Sequence, residues 1–371
     1  MMPPRSSRTL KIIIISSVVI GGVINLLFFF HNSNNCPLPG ILPYQYSEIY
    51  NSTSHELPDK PILLLWFWPE NYRFSLSDCK SLLGIDGCFL TDDRSLYSEA
   101  HAVLVFHKAI KSDLSNLPQS PRPHFQRWIW FHVESPTNTV QIDGLENLFN
   151  LTLNYRQDAD IVVHHHLKIR KDSLEETVIP KKDKLVCVIV SNSNPETGTD
   201  VRNRYFHELK NHITVHVFGT AFGRFLDVSE YYPTIASCKF YLAFENSIYW
   251  DYITEKLNGP LVVGTVPVVL GPPRENYENY IPGSAFIHVN DFPSAKELAE
   301  YLLQLDSDDD LYLSYFEWRK HFYAEPHLIM RNQEFIKPIC TACEYIHLHK
   351  EYKMTKDIYK WYFSINNDSN M

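Results

Sequence analysis

Between Leu185 and Val289 five short apolar runs alternate with polar or glycine-bearing breaks: Leu185–Val190, Thr214–Phe218, Phe240–Phe244, Val266–Leu270 and Ser284–Val289. Runs this short and rich in β-branched residues read as buried strands, and Val201–Asn211 and about Thr254–Leu257 between them read as helices. Strand–helix alternation of this kind dictates a parallel sheet with helices on its faces. Ligands of such sheets sit outside the carboxyl ends of the strands. Those ends carry Ser191-Asn192, Gly219, Glu245-Asn246 and Gly271. An earlier series, Pro61–Trp68, Ala102–Phe106, Trp128–Val133 and Leu151–Leu153, predicts a second α/β domain with helical or turn connections. The charged stretch 171–184 is the expected boundary. A length of 371 residues suits two domains of roughly 150 residues plus tails.

Residues 12–30 read IIIISSVVIGGVINLLFFF. As a helix they rise about 28 Å, enough for one bilayer crossing. Arg5, Arg8 and Lys11 precede the run, and no Lys or Arg follows before Lys60. The positive-inside rule therefore predicts a cytoplasmic tail (1–11), a transmembrane signal anchor (12–30) and a lumenal remainder. A cleaved signal peptide is the competing reading, opposed by the length of the run and by Leu26–Phe30 standing where a small-x-small site belongs. Residues 31–59, rich in Asn, Ser and Pro, read as a stem. Sequons at Asn51, Asn150 and Asn367 agree with a lumenal location. So do seven cysteines: Cys340 and Cys343 form a close pair with no second such pair to complete a metal site, and disulfides are the expected use. The formal charge of −9, from 43 acidic against 34 basic side chains, argues against nucleic acid as a partner.

The densest chemistry lies in 240–280. Glu245-Asn246-Ser247 follows an apolar strand, and Asp251, Thr254, Glu255 and Lys256 cluster at an expected helix start. Free N–H groups there suit a phosphate, and a nearby Lys adds mobile positive charge. The plain alternative makes Asp251 or Thr254 a cap and Glu255-Lys256 a solvated pair. Asp158-Ala159-Asp160 has the form of a metal-holding DxD triplet but lies in the other domain from these residues. Asp308-Asp309-Asp310 reads as a solvated acidic run. Neither predicts a metal.

The segment 240–289, with its DYITEK block at Asp251–Lys256 and VPVVLG at Val266–Gly271, closely resembles the donor-binding motif of α-1,3-fucosyltransferases. The likeness extends through Trp66-Phe67-Trp68-Pro69, Thr91-Asp92-Asp93-Arg94-Ser95-Leu96-Tyr97, Glu134-Ser135-Pro136-Thr137, Tyr155–Asp160 and Cys340-x-x-Cys343. It covers about residues 60–350 and is strongest toward the Lewis-type vertebrate branch. The resemblance implies an α/β, GT-B-like fold of two facing Rossmann-like domains: 60–178 on the acceptor side, 179–335 binding GDP-fucose, and 336–371 returning to the first. It implies a Golgi enzyme that moves fucose with inversion from GDP-fucose to the 3-hydroxyl of GlcNAc in N-acetyllactosamine-type glycans. No bound cofactor or essential metal is expected, and the resemblance leaves room for a homodimer.

Residue by residue, Glu134 matches the family's general base, although as a bare sequence it reads first as a cap on the Ser135-Pro136-Thr137 turn. Arg202 and Lys256 match the diphosphate-binding residues. Glu255 matches a donor-sugar or ribose contact, and Tyr241, Asn246 and Tyr252 match further donor-pocket positions. The family's disulfides would pair Cys79 with Cys340, Cys88 with Cys343 and Cys187 with Cys238.

Three places depart from the pattern. His164-His165-His166 stands where the family has Pro-Tyr-Gly, which predicts a displaced loop tuning the acceptor side. Ser193 replaces a common Trp. Leu257-Asn258-Gly259-Pro260 replaces a stretch ending Tyr-Asn-Ala-Phe, placing in an expected helix a Gly and a Pro that cost about 1 and 3 kcal/mol against Ala. Two outcomes fit: a transferase with altered acceptor preference, or a GDP-fucose- or carbohydrate-binding relative with weak turnover.

Overall fold

The structure, a computed structural model, describes residues 59–165, 167–172, 178–327 and 333–364. The expected tail, anchor and most of the stem lie outside them, as do His166, Asn51 and Asn367. Among the described residues no helix is long and apolar enough to cross a membrane.

Strands β1 (Ile62–Leu65), β2 (Phe89–Thr91), β3 (Ala102–Phe106), β4 (Arg127–Phe131), β5 (Leu151–Asn154) and β6 (Ile161–Val162) build a first sheet in the order β2-β1-β3-β4-β5-β6. Every pairing in it is parallel. Both faces are buried, so the strands read as continuous apolar runs, and alternation only decides which core each side chain enters. In β4, Trp128 and Trp130 join one cluster while Ile129 and Phe131 join the other.

The covering elements differ from expectation. Most connections are single 3-10 turns, such as Pro69–Asn71, Arg94–Ser98 and Pro136–Asn138, and only Asp78–Leu83 is an α-helix. Prolines at 118, 121, 123 and 136 remove the N–H groups a longer helix would need. The far end of the chain does the covering. Helix Ile336–Leu348 packs Ile339, Ala342 and Ile346 against Leu63, Leu104 and Ile129. Helix Ile358–Phe363 packs Ile358, Tyr359 and Tyr362 against Val103 and Trp130 on the opposite face. Cys79–Cys340 and Cys88–Cys343 bond this segment to the first sheet across 261 and 255 residues. On chain-entropy reasoning the first of the two to form contributes about 5–6 kcal/mol, and the second, closing only the small ring between the bridges, about 3 kcal/mol.

After the short strand β7 (Lys168–Ile169), β8 (Lys184–Ile189), β9 (Val215–Phe218), β10 (Cys238–Phe244), β11 (Val266–Leu270) and β12 (Ile287–His288) form a second parallel sheet, ordered β12-β11-β10-β8-β9. Strand β13 (Phe322–Tyr323) then pairs antiparallel with β7. Both sheets belong to one unit, Leu57–Met371, and are called here the first and second lobes. Cys187 of β8 is bonded to Cys238 of β10. The expected strand Ser284–Val289 shrinks to two residues because Gly283–Ala285 is a 3-10 turn.

Helix Glu255–Val263 survives its Gly and Pro and ends at Gly264, φ +71°. Gly259 has a packing role. A Cβ there would lie 2.6 Å from the Tyr231 hydroxyl, so a side chain at 259 would displace the Tyr231 ring that helix Val228–Ala236 lays over it.

One sequon is disqualified by the fold. Asn150 is fully buried, its Nδ2 donating to Lys353 O at 2.7 Å and its Oδ1 accepting from Trp128 N at 2.8 Å. Its amide is part of the joint between β4, β5 and the C-terminal segment.

Candidate active site

The order of the second sheet reverses between β8 and β10, and the carboxyl ends of those strands frame a cleft of about 340 Å³. This is where an open parallel sheet binds its ligand. Ser191 and Asn192 line it from β8, Tyr241 and Asn246 from β10 and its end, and Gly219 and Thr220 from beyond β9. Gly219 has φ +100°, and a Cβ would fall 2.2 Å from Val190 O, so the wall closes only with glycine.

Positive charge enters from two helices. Arg202, in the first turns of helix Asp200–Leu209, is 5% exposed and donates from an Nη to Asn192 O. Burial lowers its pKa, opposed by Glu245, Tyr252 and Tyr241. Lys256 follows the N-cap of helix Glu255–Val263, where Thr254 Oγ1 accepts from Lys256 N. Its Nζ lies 2.9 Å from Thr254 Oγ1, 3.0 Å from Glu255 and 3.3 Å from the buried carboxylate of Glu245. Burial works against the ammonium, but Glu245 and Glu255 outweigh it and raise its pKa well above the usual lysine value. Glu245 goes the other way: burial raises its pKa against the pull of Lys256. Burial also opposes charge on Glu255, yet Lys256 and then His327 bring it down to about 2. The cleft thus presents two cations, with Glu245 buried behind Lys256 and Glu255 beside it in the lining.

Five of the residues expected in the donor pocket, Arg202, Tyr241, Asn246, Glu255 and Lys256, line this one cleft. Tyr252 does not. Asp251 holds φ 64°, which turns the chain so that Tyr252 enters the core of the first lobe, its ring 5.1 Å from that of Tyr155. Asp251 is not a helix cap either. It is 4% exposed and joins the lobes, accepting from Gln157 N at 2.9 Å, Asn276 Nδ2 at 2.8 Å and Tyr280 Oη at 2.8 Å. Gly271 is also absent from the cleft, because the Tyr277 hydroxyl occupies the space beside it.

Glu134 lies beyond the end of β4 and leaves the turn after it uncapped; that turn is held instead by Thr139 Oγ1 donating to Ser135 O at 2.7 Å. The carboxylate, 30% exposed, faces Lys108 Nζ at 3.1 Å, and the same ammonium is 2.6 Å from Glu70. The Tyr362 hydroxyl donates to the Glu134 carbonyl and so fixes the backbone. The next residue, Ser135, is hydrogen-bonded through its hydroxyl to Ser247 at 2.8 Å, and Thr137 to the Tyr249 hydroxyl at 2.7 Å. These two bonds tie the Glu134 turn directly to the segment following Asn246 at the cleft. A carboxylate able to take a proton therefore stands beside a cationic pocket able to take an anion.

The acidic runs have other uses. Asp158 pairs with Arg156 at 2.7 Å and accepts from Trp361 Nε1 at 3.0 Å. Asp160 accepts from Thr152 N at 2.8 Å and pairs with Lys353. Asp308, expected in a solvated run, caps helix Asp309–Ser314 by accepting from Leu311 N. Among the described residues no three His, Cys, Asp or Glu side chains gather where they would hold a metal ion.

Residues 179–361 match the family described as Glycosyltransferase family 10 (fucosyltransferase) C-term, and residues 58–166 match Fucosyltransferase, N-terminal. The chain belongs to glycosyltransferase family 10. Among its family 10 relatives, it is 48% identical over 84% of its length, and 85% of the relative, to the 4-galactosyl-N-acetylglucosaminide 3-alpha-L-fucosyltransferase 9 of Mus musculus. The Homo sapiens enzyme of the same name is 47% identical over the same shares. A crystal structure of an alpha1,3-fucosyltransferase shares the fold with a TM-score of 0.50 at 16% identity, covering 79% of this chain and 93% of that one.

The sequence did not signal several parts of this family 10 site. Glu245 was visible as a polar residue after a strand, but its burial against Lys256 was not. Lys108 lies 26 residues from Glu134, too far for any local pattern. Phe225–Val228 and Tyr231 line the cleft from a stretch with no strand-end signature.

Proposed function

We propose that this protein is an inverting fucosyltransferase that moves fucose from GDP-fucose to the 3-hydroxyl of GlcNAc in Galβ1-4GlcNAc glycans. One observation carries the reading: the buried bond between Ser135 and Ser247 sets Glu134 beside the cleft that holds Arg202 and Lys256. The names of the relatives support the linkage and the acceptor.

In this reading GDP occupies the cleft with its diphosphate toward Arg202 and Lys256. Glu255 holds the ribose or the fucose. The acceptor O3 attacks C1 of fucose on the face opposite GDP. As the C1–O bond breaks, its electron pair leaves on the β-phosphate, where the two cations offset the growing charge. The proton of O3 passes to Glu134. The cations supply the charge that a metal supplies in DxD enzymes, so the proposal includes no metal and no bound cofactor. Residues 60–178 act on the acceptor side and 179–335 on the donor side.

The same reading anchors residues 12–30 in the Golgi membrane with the catalytic unit lumenal. Three disulfides among the described residues support an oxidising compartment.

The deciding experiment is a product assay of the purified protein with GDP-fucose and Galβ1-4GlcNAc, with and without chelator. Formation of the α-1,3 product in both conditions supports the proposal. GDP-fucose binding without transfer to any acceptor points to a binding relative, and absence of donor binding sinks both readings.

A further inference from the structure

Two departures from the family pattern, His164-His165 and Asn258-Gly259, meet at one place. His164 and His165 follow β6 and turn toward the second lobe. The ring of His164 lies 4.3 Å from that of Tyr280, and the ring of His165 lies 5.3 Å from that of His327. His327 Nδ1 is 3.1 Å from Asn258 Nδ2 and 3.2 Å from the Tyr232 hydroxyl, which in turn accepts from His327 N at 2.9 Å. Asn258 is 3% exposed and also donates to Glu325 O at 2.9 Å.

This network ends on the cleft. Asn258 lies one turn into the helix whose first residues are Glu255 and Lys256. Tyr231, whose ring is 5.6 Å from that of His327, lines the cleft, and its hydroxyl sits over Gly259 and donates to Glu255 O at 3.5 Å. An amide N–H and a hydroxyl therefore converge on one imidazole nitrogen, which must carry a lone pair. The ring is then the neutral tautomer with its proton on Nε2. Burial favours that form, bringing its pKa down to about 4 against the opposing pull of Glu255.

We propose that His327, backed by His165, is a positioning residue for the donor site: its Nδ1 lone pair fixes Asn258 and Tyr232, and through them the first turn that aims Glu255 and Lys256 into the cleft. The inference rests on the cleft being the GDP-fucose site. It moves the expected effect of the His run from the acceptor to the donor. His327 touches no reacting atom in this scheme, so its loss acts on donor affinity through geometry.

The test uses the full chain in detergent, with GDP titrated calorimetrically and steady-state constants measured for GDP-fucose and for the acceptor. His327→Leu removes the acceptor nitrogen. It should weaken GDP binding and raise the GDP-fucose KM about tenfold, the scale of one lost hydrogen bond to a positioned group, while the acceptor KM stays within about twofold. His327→Asn keeps an acceptor atom near the Nδ1 position and should restore GDP affinity to within about threefold of wild type. Tyr232→Phe, which alters little volume, should shift GDP affinity in the same direction as His327→Leu. Equal GDP affinity in wild type and His327→Leu overturns this inference alone. So does an effect confined to the acceptor KM, or an Asn variant as impaired as the Leu variant. A wild-type protein that binds no GDP overturns both this inference and the donor-site reading beneath it.

Discussion

Ser135 Oγ and Ser247 Oγ share a 2.8 Å hydrogen bond, with both residues buried and 112 positions apart in the chain. Each is the neighbour of a site residue, Glu134 on one side and Asn246 on the other. Ser247→Ala leaves the Ser135 hydroxyl with only its contact from Asn138. A buried hydroxyl stripped of a partner costs about 1–3 kcal/mol, so the melting temperature should fall. Turnover should fall more than GDP affinity, because the substitution loosens the register between the lobes and not the cleft itself. Melting curves and kcat measured together check this.

Glu134→Gln keeps the shape of the side chain and removes its basicity. Turnover should drop by at least ~100-fold, a typical scale for general-base catalysis, with GDP affinity nearly intact. Near-wild-type kcat in this variant would reject Glu134 as the base.

Lys256→Met should weaken GDP binding and slow the chemical step together. It also strips Glu245 of its cation. A lone buried charge costs on the order of 3–5 kcal/mol, unless Glu245 takes up a proton, which its already raised pKa favours. A carboxyl that binds more protons folded than unfolded loses stability as pH rises. The deficit in melting temperature relative to wild type should therefore be larger at pH 8 than at pH 5.5. Adding Glu245→Gln should recover melting temperature at pH 8 but not GDP affinity.

Acid should unfold the protein through its neutral histidines. His107 is 3% exposed, its Nε2 paired with Val140 O at 3.0 Å and its Nδ1 accepting from Trp130 Nε1 at 3.1 Å. A second ring proton would meet the Trp130 N–H. Burial brings its pKa down to about 4 despite the bond to Val140. The unfolded chain therefore binds the extra proton first, and stability present above about pH 6.5 is lost as pH falls toward 4. This group alone accounts for on the order of 3 kcal/mol, and His165 and His327 add to the slope in the same direction. Urea titrations from pH 7 to pH 4.5 should show the loss, and His107→Gln, which keeps a donor toward Val140, should flatten it.

Peptide mapping should find Asn150 without a glycan. Its Nδ2 is buried and bonded to Lys353 O, so a sugar there would block the C-terminal segment from docking. Asn150→Gln should leave the glycan mass unchanged and lower the melting temperature.

Much of this is legible in the sequence. The ends at Ser191-Asn192, Gly219 and Glu245-Asn246 announced the cleft because a polar or glycine residue after a β-branched run marks where a strand leaves the sheet. Gly271 has the same signature and a different use, since what fills the space beside it is Tyr277, a side chain local pattern cannot place. Tyr252 is buried behind the cleft wall because a positive φ at Asp251 sets its direction, which nothing in the residue type shows, and its hydroxyl still feels Lys256, Glu245 and Glu134. The roles of the His run and of Gly259 were hidden for a related reason. The first reads as a displaced acceptor-side loop and the second as a strained helix turn, and only the packing of Tyr231, Tyr232 and His327 brings His164, His165 and Gly259 to one wall.

The order in which the ribosome delivers the chain now matters. The strands of the second lobe lie within residues 184–288, and its own disulfide spans 51 residues, so that half can close while synthesis continues. The first sheet starts earlier but stays bare, with Cys79 and Cys88 waiting as thiols until Cys340 and Cys343 arrive. The lobe made first is finished last. A chain interrupted shortly before residue 336 would emerge with a closed second lobe and a first lobe still open to chaperones and degradation.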